Sequence, residues 1–183
     1  MSADEYDPDD NFANAYRPGA DVDEDSDADI ESVAWQVLLL VNPGDEDEAR
    51  QQFAAFQDAW ADGGGDGAGV AALLQDVVDW RAGFQVRADD AAGLVQCLDS
   101  LAARWNLHID WGVEDPTDDD VLESAELEDL LATAFDRLRE HGYTLWVRET
   151  DDGHAGWITQ SRDDDAMRVL APALGIDVRP AGA

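Results

Sequence analysis

YTLWVRETDDGHAGWITQS, residues 143–161, reads as two strands folded about a tight turn. Aromatic and β-branched residues fill both arms, and TDDG at 150–153 supplies the turn chemistry. With 150–153 as the loop, Glu149 faces His154, Trp146 faces Trp157, Leu145 faces Ile158 and Thr144 faces Thr159. Leu145 and Ile158 then share one face, and the Trp and Thr pairs share the other. A slip of one residue would scramble both faces, so the pattern itself specifies the register.

Outward from the hairpin, Leu127, Leu130, Leu131, Ala134 and Leu138 mark a long amphipathic helix that Gly142 ends. Upstream, Leu107, Ile109 and Trp111 alternate with His108 and Asp110, which predicts a half-buried strand over 106–111. Downstream, Ala166, Met167, Leu170 and Leu174 predict a helix shortened by Pro172, and IDVRP predicts a last strand. This gives the ferredoxin-like βαββαβ order. In that arrangement His108 and Asp110 share a sheet face with Trp157 and Trp146, and Asp177 and Arg179 flank it.

The first half predicts an N-terminal strand and helices that extend this α+β unit. WQVLLLV at 35–41 reads as a strand buried on both faces. Asp45 with Glu48 forms a capping box for a helix carrying Ala49, Phe53, Phe56 and Trp60. Val70, Leu73, Leu74, Val77 and Val78 mark a second helix, GFQVR at 83–87 a short strand, and Ala91 to Trp105 a third helix. Residues 1–31 carry 12 carboxylates and one Arg, with almost no aliphatic pattern. They are expected to be a disordered acidic tail, with the domain spanning 32–183. DVDEDSDADIES at 21–32 imitates a calcium loop, but Ser26 stands where Gly is required and Ser32 where a bidentate Glu is required.

Charge restricts the function. The chain has 43 acidic residues against 11 basic ones, all Arg, for a net charge of −32. Phosphate backbones and anionic membranes both need cationic side chains, so neither nucleic acid nor membrane is an expected partner. A basic protein surface is. The one cysteine, Cys97, excludes an intrachain disulfide or a cysteine-based zinc site. The acidic N-terminus lacks the basic and apolar regions of a signal peptide, which points to the cytoplasm.

The blocks RWNLHIDWGVEDPTD, HGYTLW and AGWIT, with LLLVNPGDE, VVDWRAGF and MRVLAPALGIDVRP, are similar to the bacterial domain-of-unknown-function family numbered 6630, over about residues 35–180. That resemblance implies a bacterial, cytoplasmic-type domain and carries no activity, cofactor or catalytic residue. In architecture alone the chain is also similar to the acidic ferredoxin-like inhibitors of ribonucleases.

No Ser stands in a nucleophile-elbow setting and Cys97 lies on a helix, so nucleophilic catalysis is not expected. His108 and Asp110, with Asp115 and Asp118–Asp120 in the following loop, have oxygen and imidazole donors suited to a metal, yet no metal signature is present. No catalytic residue, metal or cofactor is assigned. The expectation is a non-catalytic acidic interaction module of inhibitor, immunity or nucleic-acid-mimic type. Its partner-binding residues are Trp146, Trp157, His108, Asp110 and Arg148, provided the early helices do not cover the Trp face. Two alternatives stand beside it: a metal-dependent or acid/base enzyme centred on His108 and Asp110, and acidity as salt adaptation with function elsewhere.

Overall fold

The structure, a computed structural model, describes residues 21–64, 69–78 and 80–182. Its sheet is built on the hairpin. β2 (Tyr143–Glu149) and β3 (Gly153–Gln160) pair in the register read from the sequence, with Leu145 opposite Ile158, Trp146 opposite Trp157 and Glu149 opposite His154. β1 (Gly83–Arg87) joins β3 and β4 (Arg179–Pro180) joins β2, so the order is β1-β3-β2-β4, antiparallel throughout.

Helices cover both faces of this mixed α+β sheet. On one face Phe84, Val86, Leu145, Val147 and Ile158 meet α4 (Ala91–Ala103) and α6 (Leu127–Glu140). On the other, Trp146 and Trp157 meet α1 (Asp21–Val41), α3 (Gly69–Val77) and α7 (Asp164–Ala173). α2 (Glu46–Ala59) packs outside α1, with Ala49 and Phe56 fully buried. Its N-cap is Asp45, whose carboxylate accepts the Glu48 N–H at 3.1 Å, as the sequence suggests.

Three expectations are corrected. WQVLLLV is not a strand: it is the end of α1, where Ala34, Val37, Leu38 and Val41 are fully buried. That i, i+3, i+4, i+7 spacing is helical, and it extends upstream of the apolar run that suggested a strand. Residues 107–111 belong to no strand of the sheet. Ile109 and Trp111 are buried while His108 and Asp110 are exposed, so the alternation is right. The segment crosses the α4 and α6 layer instead of the sheet. Arg137 Nε donates to the Asp110 carbonyl at 3.2 Å, and Trp111 Nε1 donates to Asp99 at 3.0 Å. Alternation reports an extended backbone but not what it pairs with. Consequently the first strand of the sheet is 83–87 at an edge, in place of 106–111 at the centre, and the ferredoxin-like strand order is not the one observed. A short helix, α5 (Asp119–Ser124), also interrupts the acidic loop, capped by Asp118.

α1 begins at Asp21, inside the stretch expected as a tail, and residues 1–20 lie outside the described residues. The two halves interlock at α1's C-terminal end. Asn42, buried, donates to the Leu38 carbonyl and to Gln52, each at 2.8 Å, and accepts from Arg104 at the end of α4. Trp105 Nε1 donates to the Pro43 carbonyl at 3.1 Å.

The Trp pair is core. Both residues are 1% exposed, and Trp146 Nε1 donates to Thr159 Oγ1 at 2.9 Å. Trp146→Ala should therefore cost about 3–5 kcal/mol, the usual price of an aromatic cavity. Urea unfolding reads it as a lower midpoint. A loss below about 1 kcal/mol would place Trp146 outside a packed core.

Candidate functional site

Of the five expected partner-binding residues, the structure removes two from any surface. Trp146 and Trp157 lie beneath α1 and α7. His108 and Asp110 are exposed, but the expectation that they share the Trp face is corrected: their segment lies across the helices of the opposite layer. The Asp110 carboxylate is engaged locally, accepting the Gly112 N–H at 2.9 Å. His108 acts electrostatically on Asp99. Neither His108 nor Asp110 lines the best-formed cavities of the described residues. Among the described residues, no group of three or more His, Cys, Asp or Glu side chains is placed to hold a metal ion.

Arg148 is the remaining residue, and it lines a cavity of about 570 Å³. The sheet register explains the cavity. Gln85, Ala155 and Arg148 sit side by side on β1, β3 and β2, on the same face as the Trp pair but one row beyond it. Ala155, at the centre of the row, is fully buried. α3 forms one wall with Ala72, Gln75 and Asp76, and the hairpin turn Glu149–Asp152 forms another. The helices that bury the Trp row do not fill this row.

Arg148 is half-buried, and Gln75 Oε1 accepts from its Nη2 at 3.4 Å. Burial holds its pKa below the ordinary arginine value. It alone among the ten arginines of the described residues has no carboxylate within salt-bridge distance. Arg139, by contrast, reaches the mostly buried Asp164 at 2.7 Å and Thr144 at 2.8 Å. The cleft thus presents one guanidinium without a carboxylate partner inside a mouth carrying Asp76, Asp151 and Asp152, all exposed. Thr150 is its only hydroxyl among the lining residues and already accepts the Gly153 N–H at 3.1 Å. No imidazole lines it. Chemically this suits recognition of a group with a cationic body and an anionic tip.

Sequence reasoning reached Arg148 and missed Gln75, Asp76 and Gln85. The alternation in GFQVR was the available signal, since Gly83, Gln85 and Arg87 must face away from Phe84 and Val86. Linking that face to Arg148 required knowing that β1 pairs with β3.

Two substitutions separate a recognition arginine from a structural one. Arg139→Gln strips partners from a mostly buried carboxylate and should cost about 1.5–3 kcal/mol. Arg148→Gln should stay within about 0.5 kcal/mol of the parent, as for a surface change. Equal losses in urea unfolding would make Arg148 structural.

The contact beneath His108 has a pH signature. Burial raises the Asp99 pKa above the ordinary carboxylate value, against smaller opposing effects from the Trp111 hydrogen bond and His108. The folded state therefore holds this proton more tightly than the unfolded chain does. Asp99 costs stability above its folded pKa, and the cost disappears as pH falls below the unfolded value of about 3.9. Asp99→Asn keeps an oxygen acceptor for Trp111, so its stability relative to the parent should rise between about pH 4 and pH 7. A pH-independent difference would refute the assignment.

The family described as Domain of unknown function (DUF6630) matches residues 33–181. No curated protein and no solved structure matches the chain.

Proposed function

The chain belongs to the DUF6630 family, a domain of unknown function, and on that premise we propose that it is a non-catalytic acidic interaction module that occludes a basic surface of another protein. Inhibitors, immunity proteins and nucleic-acid mimics work in this way. One observation carries the reading. Nine of the ten described arginines each have a carboxylate of the chain itself within salt-bridge distance, while the sequence holds 43 acids. The cations are already neutralised from within, and the surplus carboxylates remain for an external partner.

Such a surface attracts a basic protein over a Debye length and rejects acidic ones. The mouth of the Arg148 cleft is the proposed contact point. Asp76, Asp151 and Asp152 receive Lys or Arg side chains of the partner, and Arg148 receives one carboxylate of it. That mixed requirement gives specificity that a uniformly acidic surface lacks.

The test is affinity capture with the full chain, at about 50 mM and about 500 mM salt, where the Debye length falls several-fold. Basic proteins should be retained at the lower salt and weakened at the higher. Combined Asp76→Asn, Asp151→Asn and Asp152→Asn should cut retention, and Arg148→Gln should cut it for the specific partner alone. Capture of no basic protein at either salt sinks the proposal.

A second reading rests on how the acids are distributed. They occupy the first turns of α2, α5, α6 and α7 as well as the cleft, with no single focus. Salt adaptation would produce such a spread. A fold that needs molar salt would favour it, and a fold stable in dilute buffer would count against it.

A further inference from the structure

β1 is an edge strand, since the order β1-β3-β2-β4 gives it one neighbour. Its hydrogen-bonding direction follows from one contact beyond its end. Ala88 N–H donates to the Asp152 carbonyl at 2.9 Å, continuing the register in which Arg87 faces Gly153. Hydrogen-bonded pairs alternate along an antiparallel ladder. Phe84 and Val86 therefore exchange bonds with β3, and the backbone groups of Gly83, Gln85 and Arg87 point away from it. The Arg87 carbonyl agrees, because it accepts the Asp90 N–H at 3.1 Å on the outer side. Gly83 is buried beside Val78, whereas Gln85 is exposed, and among the described residues no backbone partner meets Gln85 on that side.

Beside this edge lies a cavity of about 240 Å³ whose lining includes Trp80, Gly83, Gln85 and Cys97. Trp80 is 72% exposed, one of few large apolar side chains so placed among the described residues. Gln75 and Gln85 line both this cavity and the Arg148 cleft, so the two surfaces are continuous.

We propose that β1 is a docking edge for an extended cationic segment of a partner protein, which adds to the sheet as a fifth strand. This rests on the interaction-module reading and states how the partner is held. Gln85 supplies the backbone hydrogen bonds, an apolar side chain of the segment packs against Trp80, and its alternate Lys or Arg side chains reach the acidic mouth beside Arg148. Charge selects the occupant. A second copy of this chain would bring its own net charge of −32 to the edge, so like charge opposes edge-to-edge pairing and favours a basic strand.

The probe is a synthetic peptide of alternating Arg and Val with blocked ends, added to the full chain at low salt. Its controls are the same peptide N-methylated on alternate amides and an oligoarginine of equal charge. NMR amide exchange should slow at least tenfold at Gln85 with the Arg-Val peptide and with neither control. Gln85→Pro removes only an outward-facing N–H, so the chain should fold and bind the Arg-Val peptide at least tenfold more weakly. If that variant does not fold, the methylated peptide decides alone. Binding without slowed exchange at Gln85, or unchanged binding by Gln85→Pro, overturns strand addition and leaves the acidic-module reading standing. Failure of all three peptides to bind overturns both. Edge protection without peptide, together with a concentration-dependent dimer in sedimentation, assigns the edge to a second copy and overturns the proposal.

Discussion

Glu149 and His154 face each other across a tight turn, and that pairing sets the register on which the sheet depends. Side chains alternate along a strand, so one register places Leu145, Val147 and Ile158 in one core and Trp146 and Trp157 in the other. Gly156 holds the center of the arrangement. A Cβ there would lie 1.9 Å from the Trp146 carbonyl oxygen, which leaves no room for any other residue. β1 and β4 then add to the outer sides of the hairpin, and each helix layer packs on the face that the register exposes to it. The Arg148 row exists for the same reason. It is the row of the Trp face nearest the turn, beyond what α1 and α7 cover.

Electrostatics imposes a second constraint. A chain of this charge repels itself in the compact state, and each arginine placed among carboxylates relieves part of that. Arg139 shows the strongest case, joining the end of α6 to Asp164 at the start of α7 and to Thr144 on β2. Arg50 and Arg168 do the same within single helices, where exposed pairs contribute only a few tenths of a kcal/mol each. Arg148 departs from this pattern although carboxylates surround its cleft. A half-buried cation without an ionic partner is retained at a cost.

Legibility followed the range of the interactions. The hairpin, α2, α3, α4, α6 and α7 were readable because caps, helical stripes and turn residues act within a few positions. The α1 expectation fails because the five apolar residues Val37–Val41 fit a buried strand and a buried helix equally, and only the upstream Ala34 breaks the tie. The strand expected at 106–111 failed on a nonlocal fact. Trp111 and Ile109 had the right burial, but α4 and α6 received them instead of a neighbouring strand. The same limit hid the site: Arg148 was visible as a residue, whereas its neighbours Gln75 and Gln85 lie 73 and 63 positions upstream.

Covering the Trp pair changes what the sheet face can do. An exposed Trp pair would have made an apolar anchor of fixed shape, open to any partner with a matching patch. Burial moves the only large exposed Trp near this face to position 80, at the sheet edge instead of its centre. Contact there must combine a short apolar footing with backbone hydrogen bonds and charge. Each of these alone is weak in water: an isolated edge is a short ladder, and exposed ion pairs are screened. Their joint presence on one continuous surface, from Trp80 past Gln85 to Arg148, is what the proposed extended partner would use.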